Sequence, residues 1–210
     1  LVGSEMCIRD RLHTYYMSKI FILSAGTSPD SYNNQLAKYL SNYFENKGIE
    51  NFLFDNLYSD IPFLLDSYDD VPEKISEMRK FLEISDKIII FSPVYNGGFL
   101  AHLKNTLDWL SLAYDGNSYS ALFKEKKVAV VTNVKGTGGN AQKAFEILSL
   151  QLSNYKLLVF EKFHLITKFD HQNDKSILDN DDVIKSLNNY VEEFLTCLLY
   201  TSDAADETER

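Results

Sequence analysis

The chain has 210 residues, a formal net charge of −9 and 45% hydrophobic residues. A chain of this length can form one domain with a substantial core, because about 70% of its unfolded surface becomes buried on folding. The acidic balance argues against a nucleic-acid-binding surface, and no apolar run approaches the ~18 residues of a membrane span. We therefore expect a globular protein with neither nucleic acid nor membrane as a partner.

The two ends of the chain resemble translated DNA of a transposon-based sequencing adapter. Residues 6–10 read MCIRD, and the opposite strand of one back-translation of this string encodes LLYT, which occurs at residues 198–201. We therefore expect residues 1–16 and 197–210 to be disordered artefacts of adapter and upstream DNA. A chance match between two disordered tails is the alternative.

Removing these ends changes the chemistry that the chain can carry. The remaining region, residues 17–196 with Met17 as its start, contains neither Cys7 nor Cys197, which excludes disulfides and cysteine chemistry. Its net charge becomes −6, because the C-terminal tail carries four acids against Arg210 and the N-terminal charges cancel. No histidine pair has the spacing of a metal site. No signal peptide precedes the first apolar segment, which predicts a cytoplasmic protein.

Strand-like and helix-like segments alternate along this region. The strands are short, continuous apolar runs, and the helices carry apolar residues at helical spacing. In chain order the elements are a strand at 19–24, a helix at 31–46, a strand at 51–55, a polar connection at 56–70, a helix from about 71, a strand at 87–92, a helix at 99–113, a strand at 127–133, a helix at 139–153, a strand at 156–161 and a helix at 182–195. Continuous apolar strands are typical of a parallel sheet covered on both faces. The pattern predicts a flavodoxin-like three-layer α/β sandwich, with five parallel strands in the order 2-1-3-4-5.

In this topology a ligand binds beyond the carboxyl ends of strands 1 and 3, so the loops after strands 1, 3 and 4 are the candidate site. The first loop, residues 24–34, reads SAGTSPDSYNN and leads into a helix N-terminus. Unpaired N–H groups and the helix dipole favour a phosphate there. The Walker lysine and the G-x-G-x-x-G pattern are both missing. A plain helix cap is the alternative.

The loop after strand 3 carries the most specific signal. Residues 92–98 read SPVYNGG and residues 99–110 read FLAHLKNTLDWL. Proline and two glycines favour a tight loop that lets backbone approach a flat ring, beside the aromatic Tyr95 and the donor and acceptor of Asn96. The segment resembles the NADPH-dependent FMN reductase family, which carries P-E-Y-N and then L-K-N-x-x-D-W-L here. The matching residues are Pro93, Tyr95, Asn96, Leu103, Lys104, Asn105, Asp108, Trp109 and Leu110. For Trp109 we favour ordinary helix packing over a role in binding.

The loop after strand 4, residues 133–140, reads NVKGTGGN and resembles the Gly-rich loop of the same family. A flexible connection is the alternative. The resemblance implies FMN as the cofactor and NADPH or NADH as the donor. It implies these cofactor-binding residues: Ser24, Gly26, Thr27, Ser28, Ser31, Asn33, Pro93, Val94, Tyr95, Asn96, Gly97, Lys135, Gly136, Thr137, Gly138 and Gly139.

The resemblance also implies a mechanism in which the flavin carries the chemistry. NAD(P)H passes hydride to FMN, and a small acceptor (a quinone, azo compound, metal oxyanion or free flavin) then takes the electrons, so no catalytic side chain is expected. His102, His164 and His171 are expected at surfaces or interfaces. A homodimer or homotetramer is implied by the family.

The chain departs from the family pattern at several positions. The family's first loop reads G-S-x-R-x-x-S-x-N, whereas residues 25–33 read AGTSPDSYN, so that Ser28 replaces the arginine and the acidic Asp30 stands two positions later. Val94 replaces a glutamate and Leu100 replaces a common proline. These differences leave two alternatives open, a flavodoxin-type electron carrier and a non-catalytic flavodoxin-like protein with a degraded flavin site. The acceptor and the choice between NADH and NADPH also remain open.

Overall fold

The computed structural model describes residues 18–67, 70–168 and 176–197. His171 and the predicted adapter ends, apart from Cys197, lie outside these ranges. In chain order the elements are β1 (Ile20–Ser24), α1 (Tyr32–Asn46), β2 (Asn51–Phe54), α2 (Glu73–Ile84), β3 (Lys87–Phe91), α3 (Ala101–Ser111), β4 (Lys127–Asn133), α4 (Ala141–Asn154), β5 (Leu158–Ile166), a 3₁₀ turn (Ile177–Asp179) and α5 (Asp181–Thr196).

The five strands form one parallel sheet in the order β2-β1-β3-β4-β5, which confirms the predicted fold. Alternate residues of each strand face opposite layers, as strand geometry requires. Phe21, Ile88 and Val128 pack in one core beneath α2, α3 and α4. Ile22 and Ile89 pack in the other, beneath α1 and α5. Both faces of the sheet are thus buried, which explains why the strands read as unbroken apolar runs.

The edge strand β5 extends further than predicted. The strand predicted at 156–161 runs from Leu158 to Ile166, and Glu161 and Lys162 in its middle are exposed. The register shifts from Val128↔Val159 to Val130↔Phe163, which marks a bulge. The hydroxyl of Tyr190, on α5, lies here. It accepts from the amide of Val130 at 3.2 Å and lies 3.0 Å from the carbonyl oxygens of Val130 and Lys162.

Two lysines receive the end of α5 at the amino edge of the sheet. Lys87 and Lys127 are paired across β3 and β4. Lys87 Nζ donates to the carbonyl oxygen of Leu195 at 2.9 Å, and Lys127 Nζ donates to that of Cys197 at 3.0 Å. Positive side chains at a helix C-terminus complement its dipole. Burial, together with the charge of Lys127, lowers the pKa of Lys87 to about 8.

Candidate functional site

The carboxyl ends of β1, β3 and β4 bring the three predicted loops together. The amide of Ala25 donates to Phe91 O at 2.8 Å, and the amide of Ser92 donates to Val131 O at 2.9 Å, so the strands stay paired up to the loops. A cleft of about 390 Å³ opens beyond them. Its lining residues are Thr27, Ser28, Asp30, Ser31, Tyr32, Asn33, Pro93, Val94, Tyr95, Asn133, Val134 and Lys135.

The first loop is shaped by Asn34, which the sequence did not single out. Its Oδ1 accepts from Ser24 Oγ at 2.6 Å, and its Nδ2 donates to Ser28 O at 2.8 Å. Ser31 is the N-cap of α1 and accepts from the amide of Asn34. A Cβ at Gly26 would lie 2.1 Å from Ser31 Oγ, so only glycine fits there. Ser24 and Gly26 therefore shape the loop and do not line the cleft, whereas the predicted Thr27, Ser28, Ser31 and Asn33 do line it.

The second loop is a tight hairpin turn. Asn96 and Gly97 have φ angles of 53° and 78°, and Tyr95 and Gly98 exchange two backbone hydrogen bonds of 3.0 Å. Two successive positive φ angles identify a type I′ turn, for which Asn-Gly is the preferred sequence. The turn presents the Tyr95 ring, which is 54% exposed, at the mouth of the cleft. Tyr95 Oη lies 3.2 Å from Thr27 Oγ1, and this hydrogen bond connects the two loops.

The third loop lines a second cleft of about 490 Å³. Asn96 and Gly97 border it together with residues 136–139. Val94 and Lys135 line both clefts, so the two are adjacent. All predicted cofactor-binding residues except Ser24 and Gly26 therefore border this continuous pair of clefts.

Two buried amides in the first cleft are without partners. Asn33, 4% exposed, has an unpaired Oδ1, and Asn133, 5% exposed, has an unpaired Nδ2. A buried polar group without a hydrogen bond costs about 1–3 kcal/mol, so such groups are expected to meet a polar ligand. One acceptor, one donor, several hydroxyl groups and a helix N-terminus suit the hydroxyl chain and phosphate of FMN. The residues present therefore fit the cofactor that the sequence predicted. The sequence analysis did not include Asn133 among the binding residues, because Asn133 ends an apolar strand. A polar residue at the end of such a strand was the signal that could have identified it.

His102 lies closer to the cleft than the sequence indicated. It was expected at a surface or interface, but it is half-buried, and its Nε2 lies 3.1 Å from Ala25 O in the first loop. Burial lowers the pKa of His102, which favours the neutral ring. His164 stacks on the Tyr190 ring at 5.4 Å, away from the cleft lining.

The L-K-N-x-x-D-W-L segment has a structural role, in line with the helix packing that the sequence analysis favoured for Trp109. Asn105 Nδ2 and Trp109 Nε1 both donate to Pro62 O, at 2.9 and 2.8 Å. Asn105 Oδ1 accepts from the amide of Leu64 at 2.8 Å. Lys104 pairs with Asp108 at 2.6 Å along the same helix. The segment thus fixes the connection after β2 to α3 rather than lining either cleft.

The sheet order and the position of the clefts define a flavodoxin-like protein. A flavoenzyme NAD(P)H:(acceptor) oxidoreductase from Paracoccus denitrificans superimposes with a TM-score of 0.67 at 24% identity, covering 85% of this chain and 96% of that one. An NAD(P)H:quinone oxidoreductase from Methanothermobacter marburgensis has a TM-score of 0.59 at 14% identity, covering 81% and 96%. These two likenesses show the fold.

The chain belongs to the NADPH-dependent FMN reductase family, whose profile matches residues 18–171. This confirms the predicted family, with FMN and NADPH as the cofactor and donor in the family's name. An FMN-dependent NADPH-azoreductase from Staphylococcus aureus is 27% identical over 123 residues, which are 56% of this chain and 61% of the relative. The match thus spans less than two thirds of that relative's length.

The part of the chain that the structure describes contains no candidate membrane span and no candidate metal site. In ranges 18–67, 70–168 and 176–197, no helix is both long and apolar enough to cross a bilayer. In the same part of the chain, no group of His, Cys, Asp and Glu side chains is placed to hold a metal ion.

Proposed function

We propose that this protein is an FMN-dependent NAD(P)H oxidoreductase that reduces a small acceptor, namely a quinone, an azo compound, a metal oxyanion or free flavin. The bound flavin would supply the redox chemistry, taking hydride from the nicotinamide and passing electrons to the acceptor. The protein supplies binding, orientation and electrostatics. This division of labour requires no side-chain base. The lining of the cleft is mainly hydroxyl and amide side chains, with Asp30 and Lys135 as its charged residues.

Each loop has a distinct part in the proposal. Thr27, Ser28 and Ser31 would hold the phosphate end of the flavin at the start of α1, supported by Ser24 and Gly26 from behind. The unpaired Oδ1 of Asn33 would accept a hydrogen bond from the adjacent hydroxyl chain. Pro93, Val94, Tyr95, Asn96 and Gly97 would hold the flat ring. Lys135, Gly136, Thr137, Gly138 and Gly139 would hold its polar edge. The type I′ turn keeps the second loop rigid, so that the flavin does not have to order it on binding.

One observation carries the proposal. The unpaired Asn33 Oδ1 and Asn133 Nδ2 are buried in the cleft at the carboxyl ends of the strands, where a ligand of this fold class binds. A flavin would satisfy both and remove their desolvation cost. The family membership of the chain makes FMN the ligand of choice.

The test is a spectrum of the purified protein with added FMN, followed by NADPH without oxygen. A bound-flavin spectrum that bleaches within seconds supports the reductase. Bound FMN that stays oxidised with both NADPH and NADH contradicts the enzyme and supports the flavodoxin-type carrier. Failure to bind FMN contradicts both and supports the degraded site. Turnover with a quinone, an azo dye, chromate and free flavin then identifies the acceptor class.

We also propose that residues 17–196 form the functional unit, acting in the cytoplasm as a homodimer or homotetramer. Phe63 and Leu65, 72% and 66% exposed, support self-association because large apolar side chains favour burial in an interface. Light scattering of the purified chain measures the oligomeric state, and cell fractionation tests the location.

Genomic sequencing tests whether the two ends of the chain are artefacts. If residues 1–11 are encoded in frame in genomic DNA, their artefactual origin is contradicted.

A further inference from the structure

Asp30 places a negative charge at the end of the cleft proposed for the phosphate. It lines the cleft beside Ser28 and Ser31, directly before the N-cap of α1. Its carbonyl oxygen accepts from Gln35 Nε2 at 2.7 Å, which fixes its backbone against the helix. Among the described residues, no cation pairs with its carboxylate.

A carboxylate at this position competes with a bound phosphate. The N-terminus of a helix carries about half a positive charge and favours one anion. Asp30 lies one residue before the N-cap and brings a negative charge to this end of the helix, whose first turn contains no acidic residue of its own. Of the residues that line this cleft, Lys135 is the one basic side chain. The net charge of the lining is therefore near zero, although a phosphate site would gain from positive charge.

The uncharged part of a flavin meets a different environment. Asn33 Oδ1 and Asn133 Nδ2 can bond to hydroxyl groups, which FMN and riboflavin share. These bonds do not depend on a phosphate. The cleft is therefore better built for the hydroxyl chain than for the dianion.

We propose that Asp30 determines flavin selectivity, opposing the phosphate of FMN so that the cleft binds FMN and riboflavin with similar affinity. This inference rests on the proposed flavin-binding function and names its ligand class more closely. A unit charge and a dianion ~7 Å apart in a water-like medium change a binding constant about five- to tenfold. Removing the charge of Asp30 should favour FMN by that factor.

The experiment compares Asp30→Asn with the unaltered protein by titrating the fluorescence of FMN and of riboflavin. We expect the unaltered protein to bind both flavins within about tenfold of each other, and Asp30→Asn to bind FMN about five- to tenfold more tightly. Riboflavin affinity should change less than about twofold, because it carries no charge to interact with residue 30. The gain for FMN should shrink in high salt, which screens the pair.

Asp115→Asn is the matched control, because Asp115 lies in the exposed turn after α3, outside both clefts. It removes the same charge and should leave both affinities unchanged. An equal effect of Asp30→Asn on both flavins, or none on FMN, overturns the inference. If neither flavin binds either protein, the inference and the proposed function fail together. If Asp30→Asn changes the affinities as expected but NADPH does not reduce the bound flavin, the proposed reductase activity alone is contradicted.

Discussion

Gly26 lies where the backbone of the first loop passes closest to α1. An added Cβ would meet Ser31 Oγ at 2.1 Å and Asn34 Oδ1 at 2.5 Å. Gly26→Ala must therefore displace both the N-cap and the amide that shapes the loop. We expect the free energy of unfolding to fall by about 1–3 kcal/mol and FMN binding to be lost. Urea unfolding and a flavin titration measure the two effects.

Gly98→Ala is the control for that substitution. A Cβ at Gly98 would contact only Tyr95 O, at an ordinary 3.8 Å. Its stability should stay within about 0.5 kcal/mol of the unaltered protein, as for most substitutions without a steric clash. Equal stability of the two variants would show that the loop has room at Gly26.

Asn133 lowers the stability of the flavin-free protein in favour of flavin binding, because its Nδ2 is buried without a partner. In Asn133→Leu an apolar group of similar size replaces the unpaired amide. We expect the flavin-free protein to gain about 1 kcal/mol in free energy of unfolding, while FMN affinity falls. Thermal unfolding without flavin measures the expected gain in stability, and a flavin titration measures the expected loss of FMN affinity.

Asn51→Leu is the matched control for Asn133→Leu. The Asn51 side chain accepts from Ser41 Oγ at 2.7 Å and donates to the carbonyl oxygens of Ser41 and Ile49. Its loss should destabilise the protein and leave flavin affinity unchanged. Destabilisation of the flavin-free protein by Asn133→Leu would contradict the assignment of its amide to a ligand.

At the scale of elements, α3 holds the connection after β2 through Asn105. In Asn105→Ala the amide of Leu64 loses its acceptor, and Pro62 O keeps only the bond from Trp109. A hydrogen bond worth about 1 kcal/mol predicts exchange of the Leu64 amide about fivefold faster, since local opening becomes easier.

Hydrogen exchange measured by NMR tests this prediction. Asn188→Ala is the control, because Asn188 bonds to Tyr39 between α1 and α5 on the opposite face of the sheet. It should leave Leu64 unchanged. Unaltered exchange of Leu64 in Asn105→Ala would show that the connection is held by other contacts.

Most strands and helices could be predicted from the sequence because both faces of the sheet are covered. Buried strands such as β3 must be apolar throughout, and helices such as α5 show their buried stripe directly. The second half of β5 was not predicted, because an edge strand alternates apolar and polar residues and contains a bulge. The 3₁₀ turn was missed for a different reason. Its capping box joins Ser176 to Asp179, and such short caps are common in ordinary loops.

For the whole molecule, the buried Lys87 sets a pH dependence of stability. Its pKa is lowered to about 8, chiefly by burial, whereas an unfolded lysine titrates near about 10.4. Between these values the unfolded chain binds more protons, so the free energy of unfolding rises with pH, by up to about 3 kcal/mol. Burial raises the pKa of Tyr190, so stability should fall again above about pH 10, where unfolded tyrosines ionise.

Urea unfolding across this pH range measures the effect, with Lys87→Met for comparison. Burial also lowers the pKa of Lys126, which adds a rise of the same sign. The difference between the two proteins therefore isolates Lys87. We expect the variant to show a smaller rise between about pH 8 and 10. Identical pH profiles would contradict a lowered pKa at Lys87.

The site was predictable at the level of loops and less so at the level of single atoms. Parallel topology alone places three strand ends together, so Thr27, Tyr95 and Lys135 could be predicted beside this cleft, which they line, without any contact information. Asn34 and Asn133 were not found, since their roles depend on which atoms remain unpaired after packing. That property belongs to the assembled molecule, and along the chain its one trace was the polar Asn133 at the end of an apolar strand.

The hydroxyl of Tyr190 has a mechanical consequence. An edge strand pairs with a neighbour on one side only and leaves a row of backbone groups unpaired on the other. Here the bulge of β5 is fastened through a helix, since Tyr190 bonds both to Val130 and to Lys162. A force applied to β5 is thus shared with α5, whose end is held by Lys87 and Lys127 at the amino edge of the sheet. We therefore expect β5 and α5 to detach together in one step under tension, and not by the sequential loss of single hydrogen bonds.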